Sequence, residues 1–149
     1  MRGWLRSVLT LLLTVLAGAA VAGTSPLAIE TAGGARHDFA VELALTPQEQ
    51  ARGLMFRESM PADRGMLFVW PQPRVLTMWM QNTLIPLDML FIGADGRIVR
   101  IAERTVPMSQ ATISSEKPAV AVLELNGGTA ARLGIKPGDR VLSEALKGK

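Results

Sequence analysis

Two acids stand where acids are costly. Asp88 interrupts the apolar run Leu84 to Ile92, and Glu124 interrupts the run Ala119 to Leu125. A carboxylate inside an apolar strand must be bonded, paired or neutralised. Alternation puts Asp88 on the strand face of Leu90 and Ile92, and Glu124 on that of Val120 and Val122. Arg52 and Arg57 flank the segment Gly53-Leu54-Met55-Phe56 and offer donor forks that satisfy a carboxylate bidentately. The ligand-binding reading gathers Arg52, Arg57, Trp79, Asn82, Asp88 and Glu124 around a polar pocket in an apolar wall, with Trp70 beside it. Its occupant would be a small molecule, a glycan or a protein partner. The architectural reading leaves Asp88 at a strand end bonding loop amides and puts the arginines in structural salt bridges.

A second acid opposite Asp88 would change the chemistry. If Asp95-Gly96 forms a two-residue hairpin turn, Leu90 faces Ile101 and Asp88 faces Glu103. Such a pair, at the ~5–10 Å separations of glycosidases, performs general acid and base work on a cell-envelope sugar polymer. A four-residue loop instead sets Asp88 opposite Ile101 and removes the pair.

Met78-Trp79-Met80 is the other constellation, because alternation points both thioethers to one face and the indole to the other. Thioethers are soft ligands suited to Cu(I) or Ag(I), and His37 is the sole imidazole, so His37, Met78 and Met80 make a candidate metal set. Against it stands the ordinary use of methionine as a filler of irregular cores. No other cofactor is expected. One histidine and no cysteine exclude a zinc site of the usual kind, and neither an acidic calcium loop nor a Gly-rich nucleotide fingerprint is present. No serine sits in a glycine elbow, so a hydrolytic triad is not expected.

The elements that must position these residues are mostly strands. From His37 to Leu45 apolar residues alternate with polar ones, and Gly33-Gly34 turns an earlier strand, Leu27 to Glu30, into this one. Thr46, Pro47 and Glu49 spell a capping box for a short helix that stops near Gly53. Strands are expected over Met66–Trp70, Val75–Met80, Leu87–Ile92, Arg97–Glu103, Ala119–Leu125 and Arg140–Leu142, with a second short helix over Thr129–Leu133. Long helices do not alternate with the strands. The fold class is therefore mainly β: a compact antiparallel β-sandwich or jelly-roll-like barrel with one or two short helices.

The chain has 149 residues, of which 48% are hydrophobic and 19% charged, a globular composition with no thiol to cross-link it. Residues 1–22 read as a cleavable signal peptide: Arg2 and Arg6, an apolar run from Val8 to Leu16, then Ala20-Val21-Ala22. The uncharged stretch is short for a membrane span of ~20 residues, and a lipid-anchored form would need a cysteine. Residues 23–149 then form one exported domain, periplasmic or secreted, that meets the membrane only through the signal segment during export. Its formal charge drops from +3 to +1 as the two arginines leave, so nucleic-acid binding is not expected.

The ordered segments "GLMFR", "GMLF", "MWMQNT", "IPLDMLF", "VLELNGG" and "IKPGD" resemble the family known as domain of unknown function 192, across nearly all of residues 23–149. The resemblance implies an exported, jelly-roll-like β domain and no catalytic residues. A shorter stretch, "GTAARLGIKPGDRVLSE", together with "RGLMF", is similar to segments of peptide-binding PDZ domains and implies a peptide-end-binding alternative.

Overall fold

The computed structural model describes residues 23–149; the expected signal segment, residues 1–22, lies outside the described residues. β1 (Ser25–Glu30) and β2 (Arg36–Ala44) form the expected antiparallel hairpin, with Leu27 opposite Phe39 and Ile29 opposite His37. The capping box then forms as read. The Thr46 hydroxyl accepts from the Glu49 amide at 3.2 Å, and the Glu49 carboxylate accepts from the Thr46 amide at 3.0 Å. They start α1 (Pro47–Arg52), which ends at Gly53 with φ +48°.

The segment containing α1 carries the chain back, so that β3 (Arg64–Met78) runs parallel to β2. Parallel neighbours need a crossover rather than a tight turn, and residues 45–63 provide it. This pair overturns the all-antiparallel sandwich or jelly roll. The protein is mainly β, with two short helices, but it has one mixed sheet. β4 (Leu87–Ile92), β5 (Ile98–Ala102), β6 (Ile113–Asn126) and β7 (Arg140–Leu142) complete seven strands in the order β5-β4-β6-β3-β2-β1-β7. The second helix, α2 (Thr129–Leu133), falls where it was expected. β3 unites two expected strands, and its pairing with β6 is irregular between Val69 and Arg74, where Pro71 and Pro73 remove ladder donors.

The sheet is strongly curled. Its edge strands meet at one end, where the Ile98 amide donates to the Asp139 carbonyl at 2.9 Å and the Val141 amide donates to the Gly96 carbonyl at 2.8 Å. All seven strands contribute to the inner apolar layer, which includes Leu27, Phe39, Leu67, Leu90, Ile98, Leu123 and Val141. Met66, Phe68, Met89, Phe91 and Val122 form a second layer on the outer face, covered by Leu54 and Met80 from loops. A strand covered on both faces reads as a continuous apolar run, and every residue of β4 is buried. That is why an acid within β4 stood out.

At Gly65 β3 leaves no room for a side chain against β6. A Cβ there would lie 2.5 Å from the Glu124 carbonyl oxygen and 2.8 Å from Leu125 Cδ2. Gly65→Ala is expected to lower the unfolding free energy in urea by ~1–3 kcal/mol, the usual cost of overpacking. Gly33→Ala, whose nearest atom would be 3.9 Å away, serves as the neutral control. Equal midpoints for the two variants would refute the close approach.

Candidate functional site

Asp88 is wholly buried, and amides take up its carboxylate. Oδ1 accepts from the backbone N–H of Arg104 at 2.8 Å and of Gly128 at 2.9 Å, and Oδ2 accepts from Ala130 at 2.8 Å. Gly128 is the N-cap of α2 and has no side chain with which to cap it. Asp88 therefore acts as a distant cap, supplying from β4 the acceptor that a local Asp or Ser ordinarily provides. Both oxygens of Asp88 are thus taken up by backbone amides of the residues after β5 and at the start of α2.

The acid pair does not form either. Leu90 faces Ile101, but the two-residue turn is absent: Ile92 faces Ile98 rather than Val99 across a bulge, the Gly93 amide donates to the Arg97 carbonyl at 2.9 Å, and β5 ends at Ala102 with Glu103 exposed. Nor do the other expected members converge. Asp88 stands opposite Leu125 and Glu124 opposite Met89, so the two acids lie on opposite faces of the sheet. Arg57 binds neither of them. Its guanidinium forks onto Glu42 at 2.5 and 2.7 Å, and this hydrogen-bonded pair holds the Glu42 carboxyl below the usual carboxylate range. Arg52 is exposed at the end of α1. The Asn82 side chain reaches the Met55 sulfur at 3.9 Å.

Glu124 is the contrast to Asp88. It is 4% exposed, and among the described residues its carboxyl has no hydrogen-bond or ion-pair partner. Burial alone pushes its pKa up to about 8, so the group is mainly protonated at neutral pH. Its cross-strand neighbours are Met66 on β3 and Met89 on β4. The segment between α1 and β3 runs over this face. Leu54 joins the outer layer, Arg57 holds Glu42, and the Met60 carbonyl accepts from the Asn126 side chain at 2.8 Å.

The metal set of His37, Met78 and Met80 is also divided. Met78 and Met80 belong to the outer layer and Trp79 points away from it, as alternation predicts. His37 shares its strand face with Phe39 and Val41, which pack in the inner layer. The PDZ-like segments are separated in the same manner: Leu54 packs outside, whereas Ala130 and Ile135 pack inside.

A feature that the sequence reading missed is the rim made by three loops. The Phe56 amide donates to the Asn82 carbonyl at 2.9 Å, Met108 to Thr83 at 3.0 Å, and Met80 to Ser109 at 3.0 Å. These cross-links hold Phe56, Val106 and Met108 at 65, 68 and 53% exposure, with Leu84 and Trp79 also in water. Phe56 and Met108 both have φ +65°, and Arg104, whose amide Asp88 holds, has φ +45°. Bulky residues rarely adopt this left-handed backbone, at a cost of ~1–3 kcal/mol each. The only sequence signal was the apolar character of "GLMF". Two surface hollows of about 530 and 550 Å³ lie elsewhere, against β7 and near the C-terminal residues, and neither is lined by Arg52, Arg57, Trp79, Asn82, Asp88 or Glu124.

Comparison with known proteins matches residues 28–143 to the family model DUF192, described as Uncharacterized ACR. A solved structure from Sinorhizobium meliloti 1021, described as a candidate transcription regulator, is 47% identical with a TM-score of 0.81, over 86% of this chain and 99% of that one. A protein of unknown function from Novosphingobium aromaticivorans DSM 12444 is 48% identical with a TM-score of 0.77, over 80% of this chain and 84% of that one. No curated protein matches.

The two acids should answer differently to mutation and pH. Asp88→Ala strands three amides, one buried and two part-buried, and is expected to cost ~2–4 kcal/mol in urea unfolding, with Asp88→Asn intermediate because one acceptor oxygen remains. A cost below ~1 kcal/mol for Asp88→Ala would show that the clamp contributes little. Glu124 has a folded pKa above its unfolded value of 4.5, so its proton stabilises the fold at low pH and that contribution is lost as pH rises from 4.5 through about 8. The melting temperature should fall across pH 5 to 8, and Glu124→Gln should flatten that slope. Identical pH profiles would contradict the burial of an unpartnered carboxyl.

Proposed function

The chain belongs to the domain of unknown function 192 family, and on that footing we propose that it is an exported, non-catalytic binding domain that meets a protein partner through the three-loop rim. The observation that carries this reading is the pairing of strain with exposure. Phe56 and Met108 hold left-handed backbone and expose large apolar side chains, two costs that a fold maintains where a surface is used. A protein is favoured over a small molecule or glycan because ligand pockets are concave, and the two hollows described above are not at the rim. The hydrolase alternative loses support because Asp88 is saturated and Glu124 lies across the sheet from it. The regulator description of the Sinorhizobium relative gains no support from Phe56, Val106 and Met108, whose exposed side chains are apolar.

A photo-crosslinking side chain placed at position 56 or 106 and expressed in cells is expected to give one discrete protein adduct. The same label at Arg132 on α2 should give none, and Met108→Ser should abolish the adduct at position 106. Phe56→Asn, which suits a positive φ, should raise stability by ~1 kcal/mol while weakening partner capture. Adducts equal to those at Arg132 would refute the rim as the contact surface.

A further inference from the structure

The outer face of the sheet holds one acid, Glu124, to which no hydrogen bond or ion pair is made among the described residues. Asp88 is bonded by three amides, and Asp139, the other buried aspartate, accepts from the amides of Ala32 at 3.0 Å and Lys136 at 2.7 Å. Glu124 is 4% exposed, and among the described residues no donor is bonded to its carboxyl. What it has instead are two thioethers. Met66 and Met89 stand directly opposite it on the strands to either side, on the same face. Side chains in such positions are rooted ~4.5–5.5 Å apart, so both flexible arms can close over the carboxyl.

We propose that Glu124, Met66 and Met89 form a binding site for one soft monovalent cation, Cu(I) or its surrogate Ag(I). The sulfurs set the softness, because thioethers favour Cu(I) over hard cations. Glu124 sets the charge: the ion displaces the proton that the buried carboxyl carries at neutral pH, and a single positive ion on the resulting carboxylate leaves the site neutral, whereas a divalent ion would strand a net charge among apolar groups. Five of the seven methionines in residues 23–149 belong to this outer layer. Met60 is the candidate third sulfur, since its carbonyl is tied to Asn126, two residues along β6 from Glu124. Met80 is not counted, because neither strand pairing nor a hydrogen bond sets it beside Glu124, whose cross-strand neighbours are Met66 and Met89. This site differs from the His37, Met78 and Met80 set, whose members lie on two faces.

Anaerobic titration of the purified chain against a chromogenic Cu(I) chelator, with Ag(I) in parallel, tests the proposal. The expected result is one ion per chain with submicromolar affinity. Met66→Leu combined with Met89→Leu nearly conserves core volume and should weaken binding at least 100-fold. Glu124→Gln should weaken it at least tenfold, and Met108→Leu should leave it within twofold. Methionine-methyl NMR on the unmutated chain gives a readout that does not depend on the variants folding: one equivalent of Ag(I) should shift Met66 and Met89 but not Met108. The assignment is overturned if the folded chain takes up no stoichiometric ion, if the double variant binds undiminished, or if other methionines shift instead.

Discussion

The carboxylate of Asp88 joins parts of the chain that are far apart in sequence. From the second residue of a buried strand it holds the chain just after β5 and the entry to α2. A carboxylate brought into an apolar layer is tolerable when its oxygens are met by fixed donors, and hydrogen bonds to an ionised acceptor are stronger than neutral ones. The loop that begins at Arg104 continues through Thr105, whose hydroxyl and amide both donate to the Leu87 carbonyl. The exposed Val106 and Met108 therefore stand on a rooted base. A rim can hold strained backbone only if its neighbours over-determine it, and the Asp88 clamp is the deepest of those constraints.

Asp88 and Glu124 show how one kind of side chain acquires opposite characters. Both interrupt apolar runs, and they occupy adjacent strands. One faces inward, where a glycine-capped helix brings amides. The other faces outward, where the covering segment brings sulfur and carbon. Their separation follows from the period of two along a strand: Leu125 faces Asp88, so its neighbour Glu124 must face the other way. Because the crossover through α1 covers the outer face of the sheet, Glu124 lies beneath it rather than in water. The same crossover makes β2 and β3 parallel.

Local order was legible along the chain wherever a single residue type controls it. The capping box at Thr46 and Glu49, α2, β4 and β7 fall where the residues say, because caps, glycines and proline limits act within a few positions. The Leu90 to Ile101 register was not legible, since the loop closes between Gly93 and Arg97 and a bulge next to Ile92 shifts the pairing before Leu90 is reached. Joining Met66–Trp70 to Val75–Met80 as one strand was not legible either. Two prolines read as a break, whereas tertiary pairing with β6 carries the strand past them.

From its own residues the sequence determined that Asp88 and Glu124 would need an answer and that Trp79 and its methionine neighbours would part to opposite sides. It also determined that the domain would be built of short strands. Only the tertiary structure decided which answer each acid receives, that Arg57 would serve Glu42, that His37 would be cut off from Met78 and Met80, and that the sheet would be mixed. The reason is physical. Local propensities act over a few residues, but a carboxyl group's partner is chosen by strand order and by which face a loop crosses, and those depend on contacts between residues far apart in the chain.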